Sequence, residues 1–332
     1  MTHVLSLAEA EERVARVFVQ GGVSTEAARS VARALIAAEA DGLKGHGLSR
    51  IPTYLAMLKS GKIDGSAVPR VTQPRPGVLA IDAGCGFAYP AIDAAIERLP
   101  ALAQEQGIAA AAISRSNHAG ACGRHVERLA EQGIVALFFA NTPEAIAPWG
   151  GTRAVFGTNP IAFAAPLEGR TPVVVDLALS KVARGNIVAA KQKGEAIPEG
   201  WALDKDGRPT TDADAALAGT MIALGDAKGA ALALMVEVFS AALVGTHLAF
   251  EASSFLDDKG GPPQTGQLII AMDPAGFGHA TFAERMEVLA EALESQDGAR
   301  LPGARRTVLR EKAQREGLSV SDEVWKLLQP SS

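Results

Sequence analysis

Cysteine is nearly absent from this 332-residue chain: only Cys85 and Cys122 occur, and neither lies in a CxxC pattern. That argues against a disulfide framework and a structural zinc site, and leaves two buried free thiols as the plain reading. Aromatic residues are sparse as well, at 5%, so Ala, Val, Leu and Ile must build the core. There is no excess of basic residues. The formal net charge of −5 argues against nucleic acid or an anionic membrane as the main partner. Long apolar runs are missing. The longest candidate, GAALALMVEVFSAALVG, carries Glu237 and falls short of the roughly 20 residues a membrane span needs, so it reads as a buried helix. The opening stretch is acidic and amphipathic rather than basic and then apolar, so it does not read as a signal peptide. The expectation is a soluble cytoplasmic protein. Neither GxGxxG nor GxxxxGK followed by Ser or Thr occurs, so a bound nucleotide must be held without the usual loops.

What is present organises into helical ends and a strand-rich middle. SLAEAEERVARVFVQGG places Leu7, Val14, Val17 and Phe18 on one stripe, and STEAARSVARALIAAEADG opens on Ser24 and Thr25 as cap candidates. Ser49 is the candidate cap of a third helix, RIPTYLAMLKSG, with Pro52 in its first turn. Strands are expected at 78–84, 107–114, 134–141, 160–166, 171–179 and 267–273. Only LEGR separates the fourth from the fifth. A parallel crossover needs a dozen or more residues, so that pair is expected to be an antiparallel hairpin. The polar, turn-rich segments 191–226 and 255–267 read as surface excursions, the first as a lid, and the last 50 residues return to helix.

Four constellations carry candidate chemistry. In GHGLSR, Gly45 and Gly47 flank His46 and would let a ligand approach its ring, while Arg50 follows at a helix start. A proton donor near neutral pH beside a guanidinium that can grip both carboxylate oxygens suggests a small acid with a reacting carbonyl or imine. The bland alternatives are a surface histidine and a surface ion pair. In SNHAGACGRH, His118 sits on a small-residue loop before a helix whose free N–H groups could hold a phosphate. His118 and His125 are seven apart but lack a third ligand, so no metal is expected. Thr158 and Asn159 precede a strand in a turn signal. Asp176 ends an apolar strand, where it either pairs with a histidine or caps a helix.

AEADGLKGHGLSRIPTYLAMLKSGKIDG, SRSNHAGACGRHVERLAEQGIVALFFANTPEAIAPWGG, FGTNPIAFAAP and GGPPQTGQLIIAMDP together resemble the malate/L-lactate dehydrogenase family over nearly the whole chain. That family includes Δ1-piperideine-2-carboxylate and Δ1-pyrroline-2-carboxylate reductases and sulfolactate, ureidoglycolate and diketogulonate members. The resemblance implies an α/β, α+β-like, non-Rossmann NAD(P)-binding fold with a mostly antiparallel or mixed sheet and packed helical N- and C-terminal segments. It implies an NAD(P)-dependent oxidoreductase, a homodimer, and a small carboxylate substrate.

The organisation expected is 1–75 with 283–332 as a helical substrate and dimer region, 76–115 as a central strand–helix–strand region, and 116–282 as the NAD(P)-binding domain. By the same resemblance His46 is the proton donor, with Asp176 a relay carboxylate and His118 the alternative acid–base residue. Arg50, Thr158 and Asn159 fall to the substrate. The cofactor falls to His118, Ala119, Gly120 and Ala121, to Asp176, Leu177, Ala178, Ser180 and Lys181, to Lys228, and to Pro302, Gly303, Arg305 and Arg306. Lys181, Arg184, Arg305 and Arg306 offer charge for a 2′-phosphate, which favours NADPH over NADH unless they are merely solvated surface cations.

Many relatives carry Ser-His-Gly where this chain has Gly45-His46-Gly47. A hydroxyl that could orient the histidine is therefore missing, and the task passes to Asp176, backbone or water. The expected function is reduction of a small 2-imino or 2-oxo acid, with a Δ1-piperideine-2-carboxylate or Δ1-pyrroline-2-carboxylate reductase as one form. A malate-, lactate- or sulfolactate-type 2-hydroxy-acid dehydrogenase is the alternative, and a catalytically silent small-acid-binding protein the less favoured one.

Overall fold

The computed structural model describes residues 3–278 and 280–329; the outermost positions of the expected terminal region, 1–2 and 330–332, lie outside them. The chain opens with strand β1 (His3–Leu5) and helices α1 (Leu7–Gln20), α2 (Thr25–Ala40) and α3 (Ile51–Lys59). Strands β2 (Arg70–Arg75) and β3 (Val78–Asp82), helix α4 (Ala88–Gln106), strand β4 (Ile108–Ser116), helix α5 (Cys122–Ala130) and strand β5 (Val135–Ala140) follow. Next come β6 (Ile161–Leu167), β7 (Arg170–Leu177), α6 (Arg184–Lys193), β8 (Ala202–Leu203), β9 (Pro209–Thr210), α7 (Ala213–Ala218) and β10 (Thr220–Met221). The remainder is α8 (Ala227–Glu237), β11 (Thr265–Met272), α9 (Phe282–Glu294), α10 (Ala304–Glu316), β12 (Leu318–Val320) and α11 (Asp322–Leu327).

Seven strands form the main sheet in the order β2-β3-β4-β11-β5-β6-β7. Only β3 and β4 run parallel, joined through α4; the other neighbours are antiparallel. The β6–β7 hairpin forms with Ile161 opposite Leu177, as the short LEGR linker requires. Alanine is a poor strand former, yet β4 reads IAAAAISRS. Burial on both faces outweighs that preference, and small side chains let helices sit close. Ala109, Ala111 and Ile113 face a core built with α4 and α5, while Ala110 and Ala112 pack on the opposite core with Ile146, Ile187, Met221 and Ala233. A third core joins α1, α2 and α3 to Ala313, Leu318, Val320 and Leu328, so the C-terminal segment closes on the N-terminal helices, with β1 paired to β12.

Several local expectations hold and three change. Ser24 caps α2 as expected, accepting from Ala27 N–H, and Ser6, not singled out in the sequence, caps α1 by accepting from Glu9 N–H. Ser49 does not cap α3. Two 3-10 turns, Lys44–His46 and Leu48–Arg50, carry the chain to Ile51, and the Ser49 hydroxyl instead donates back to the Lys44 carbonyl at 2.6 Å. The 191–226 excursion is not merely a polar lid: it contains the small β10-β8-β9 sheet and α7. The apolar helix at 227 changes to a π-turn at Val238–Ala242 and is only half buried, since Leu234, Val238 and Leu243 are exposed.

Candidate active site

The loop leaving α2 is shaped by Glu39. Its Oε2 accepts the Leu48 N–H at 2.9 Å, and any side chain on residue 47 would collide with that carboxylate. Gly47 therefore makes room for Glu39 rather than for a ligand, which corrects half of the expectation for the two glycines. Gly45 does face open space. Burial raises the Glu39 carboxyl, with the Leu48 N–H and Lys44 opposing.

His46 is thereby turned toward His118, and the two rings lie within 14° of parallel with Nδ1 of His46 3.2 Å from Nε2 of His118. The other nitrogen of His118, Nδ1, is 2.7 Å from the Tyr54 hydroxyl, which is 3.0 Å from the Tyr89 hydroxyl. Phe255 covers His118 from the 255–267 loop, and the Asn117 carboxamide oxygen accepts the His118 backbone N–H at 2.8 Å. Burial, helped by the Arg50 charge, lowers His46 to about 4 and His118 well below the usual histidine range. Both are neutral imidazoles at neutral pH.

Arg50 stands on the same side. Its Nε donates to the Gly45 carbonyl at 2.7 Å and its Nη1 to the Phe255 carbonyl at 3.3 Å, while its Nη2 has no acceptor among the described residues. The end-on pair of guanidinium N–H groups is thus available for a carboxylate. Lys62, buried below the 254–259 segment, donates to the carbonyls of Ser254, Asp257 and Lys259 and holds the loop that carries Phe255.

Asp176 is not where a histidine relay would need it. Its Oδ2 accepts the Gly123 N–H at 2.9 Å, at the start of α5, and Arg306 lies 3.8 Å away. Its carboxyl is raised by burial, with the Gly123 N–H and Arg306 opposing, and it bonds neither His46 nor His118. The end of β7 points at the first turn of α5, and a backbone N–H there is a ready donor to a carboxylate. The same contact corrects the idea that this helix start is open for a phosphate. Asn159 is also committed elsewhere. It is fully buried, its amide donates to the Ala233 carbonyl and to Glu237, and its oxygen accepts from Thr142 N–H. Thr158 meets the Thr142 hydroxyl at 3.3 Å. His125 belongs to α5 and donates from Nε2 to the Ala119 carbonyl at 2.8 Å, which ties down the 118–121 loop. Among the described residues no group of three or more His, Cys, Asp or Glu side chains could hold a metal ion.

A cavity of about 370 Å³ opens beside the active loop, lined by Asp41, Gly42 and Leu43 on one side and by Arg300, Pro302, Gly303, Arg305 and Arg306 on the other. Gly303 has φ +94°, a conformation that favours glycine, and lies against Val174. Arg300 and Arg305 have no carboxylate partner among the described residues. Backbone bonds from Lys181 N–H to Ile222 and from Leu224 N–H to Leu179 bring Leu177, Ala178, Ser180 and Lys181 beside the segment that leads to Lys228. The structure thus brings His46, Arg50 and His118 into one cluster, and Arg305 and Arg306 into a nearby cavity. Tyr54 and Tyr89 escaped the sequence reading. The available signal was the spacing of Tyr54, four residues beyond Arg50 on the α3 face.

A family model described as malate/L-lactate dehydrogenase matches residues 5–329. The chain is 52% identical, over 93% of its length and 92% of the relative's, to a (2R)-3-sulfolactate dehydrogenase (NADP(+)) of Chromohalobacter salexigens. It is 41% identical, over 95% and 93%, to a Δ1-pyrroline-2-carboxylate/Δ1-piperideine-2-carboxylate reductase of Pseudomonas putida. Among solved structures, the Δ1-piperideine-2-carboxylate reductase of Pseudomonas syringae superposes with a TM-score of 0.94 at 38% identity, covering 99% of both chains. The sulfolactate dehydrogenase of Methanocaldococcus jannaschii gives 0.88 at 30% identity, over 98% and 95%.

Proposed function

This chain belongs to the malate/L-lactate dehydrogenase family, and from that premise we propose that it is an NAD(P)H-dependent oxidoreductase reducing a small 2-imino or 2-oxo acid. The observation that carries this reading is the pairing of a neutral, proton-bearing His46 with an Arg50 whose Nη2 has no acceptor among the described residues. Arg50 grips the substrate carboxylate and so sets C2 in place. A bound nicotinamide supplies the hydride to C2. As negative charge develops on the attached nitrogen or oxygen, His46 gives it a proton. The Arg50 charge lowers both histidines, and a bound carboxylate offsets that effect.

The residues present suit a dinucleotide. The arginine-lined cavity next to the active loop offers two unpaired guanidinium groups to phosphates, and a side chain at Gly120, where φ is +69°, would press on Tyr89. We assign His118, Ala119, Gly120, Ala121, Asp176, Leu177, Ala178, Ser180, Lys181, Lys228, Pro302, Gly303, Arg305 and Arg306 to the cofactor, in a fold whose main sheet is mostly antiparallel rather than doubly wound. NADPH is the preferred form, supported by those arginines and by the NADP(+) in the name of the 52% identical relative. No helix among the described residues is long and apolar enough to cross a membrane. A cytoplasmic homodimer completes the reading, with exposed Leu234, Val238 and Leu243 as support for the dimer. The shared core of N- and C-terminal segments supports grouping 1–75 with 283–332 around regions 76–115 and 116–282.

A second reading, a sulfolactate-type 2-hydroxy-acid dehydrogenase, is favoured by the 52% identity against 41% for the imino-acid reductase. The two differ in the atom on C2 and in the charge carried at C3. Initial rates of NADPH and NADH oxidation with Δ1-piperideine-2-carboxylate, Δ1-pyrroline-2-carboxylate, pyruvate, oxaloacetate and 3-sulfopyruvate separate them. Turnover of a cyclic imine or simple oxo acid supports the first reading, and turnover of 3-sulfopyruvate alone selects the second. No turnover with any acid contradicts both and favours a silent acid-binding protein.

A further inference from the structure

We propose that Tyr54 and Tyr89 are positioning residues that fix His46 in the tautomer carrying its proton on Nε2. The inference rests on the reading of His46 as proton donor and adds what aims the donor. The sequence contains only two tyrosines, and both hydroxyls are buried in this site. Four groups form one line: Tyr89 to Tyr54 at 3.0 Å, Tyr54 to His118 Nδ1 at 2.7 Å, and His118 Nε2 to His46 Nδ1 at 3.2 Å.

Proton counting gives the line a direction. If Tyr89 donates to Tyr54, then Tyr54 donates to His118 Nδ1. His118 must then carry its proton on Nε2 and donate it to His46 Nδ1. His46 is left with its own proton on Nε2, the nitrogen that no group among the described residues engages. Every hydroxyl and ring N–H inside the line is used. Reversed, the line puts a proton on His46 Nδ1 and ends on a Tyr89 hydroxyl proton with no acceptor among the described residues. A buried donor left unpaired biases the choice by roughly tenfold or more.

The line is a dead end rather than a conduit. Tyr89 is buried, and a side chain at Gly120 would press on its hydroxyl. Burial holds both tyrosines above their usual range, so neither gives up its proton entirely. When the Nε2–H bond of His46 breaks and the proton bonds to the substrate nitrogen or oxygen, the proton is restored from the open side of the ring. The hydrogen bond from His118 meanwhile steadies the charge left on His46. This gives an orienting device in a chain where the serine of many relatives is replaced by Gly45.

The test is long-range proton–nitrogen correlation spectroscopy of the ¹⁵N-labelled protein at pH 7.5, without substrate, beside steady-state kinetics. Native protein should show both His46 and His118 protonated on Nε2. Tyr54→Phe should shift His118 toward the Nδ1-protonated form and lower kcat by about 10- to 100-fold, while KM for the acid stays within about twofold because Arg50 is untouched. Tyr89→Phe keeps the Tyr54 hydroxyl and should lower kcat less, by roughly three- to tenfold. A native His46 protonated on Nδ1 overturns the proposal, as does a folded Tyr54→Phe with native tautomers and native kcat. If Tyr54→Phe does not fold, the native spectrum and Tyr89→Phe still decide. The spectra need no turnover, so failure of the substrate reading remains distinguishable from failure of the tautomer assignment.

Discussion

The loop that leaves α2 has two unlike ends. At its start Asp41 belongs to a cluster of full charges. Arg310 of α10 donates to both Asp41 oxygens at 2.8 and 3.0 Å and to both Glu127 oxygens at 3.0 and 2.9 Å, while Arg124 takes Glu127 from the other side. Five residues later, His46 enters a cluster with hydrogen bonds and no ionised member except Arg50. The charged end joins α2, α5 and α10, whose termini surround the active loop and the arginine-lined cavity. Burial raises the Glu127 carboxyl, but Arg310 and Arg124 outweigh it and hold the group below its usual value. The neutral end holds no elements together by charge; it decides which nitrogen carries a proton. Ions anchor the frame, and neutral groups keep the acid chemistry adjustable.

The comparison breaks most visibly at Arg310. Arg310→Met leaves the buried Asp41 carboxylate without its partner and Glu127 with Arg124 alone, and should cost about 3–5 kcal/mol of stability, read from urea unfolding. A loss below about 1 kcal/mol would mean the cluster behaves as an exposed ion pair.

The neutral side responds to acid. Burial lowers His125 from 6.5 to about 4 and His46 equally far. The unfolded chain therefore takes up protons between pH 6.5 and 4 that the folded chain refuses, so stability falls as pH drops through that window and each buried histidine contributes about 3 kcal/mol. His125→Gln should reduce the slope of stability against pH by about one proton there. An unchanged slope would show that His125 titrates freely.

Arg50 joins the two ends in function. Arg50→Lys should raise KM for the acid by about tenfold, with kcat less affected, since a lysine cannot grip both oxygens. An unchanged KM would place the carboxylate elsewhere. The smallest effect is expected at Gly45. Open space surrounds its Cα, so Gly45→Ser should fold normally and change kcat by no more than about threefold, because His46 Nδ1 is already engaged by His118. A tenfold gain would mean that a serine hydroxyl supplies an orientation this chain lacks.

Much of this frame was legible in the sequence. The stripe of α1, the Ser24 cap of α2 and the 161–177 hairpin followed from residue type and spacing. The strand RVTQPR was not legible, because it is an exposed edge with a proline and no alternating pattern. The paired segments β1 and β12 are three residues each, too short for periodicity to register. His46 and Arg50 stood out by residue type on a glycine-rich loop. For Asp176 the choice between a histidine pair and a helix cap stayed open in the sequence, because its partner is a backbone N–H 53 positions away, which has no sequence signature. Glu237 was noticed only as an obstacle to a membrane span, yet it accepts hydrogen bonds from Asn141, Asn159 and Ala249 in the core.

The central claim is that His46 is the proton donor. Steady-state NADPH oxidation, with the acid from the panel that turns over fastest, tests it in His46→Gln beside His118→Gln. The account predicts that His46→Gln lowers kcat by roughly 10²- to 10⁴-fold, and that His118→Gln, which leaves the His46 ring in place, lowers it less. An unchanged kcat in His46→Gln with a collapse in His118→Gln would contradict the claim and transfer the donor role to His118.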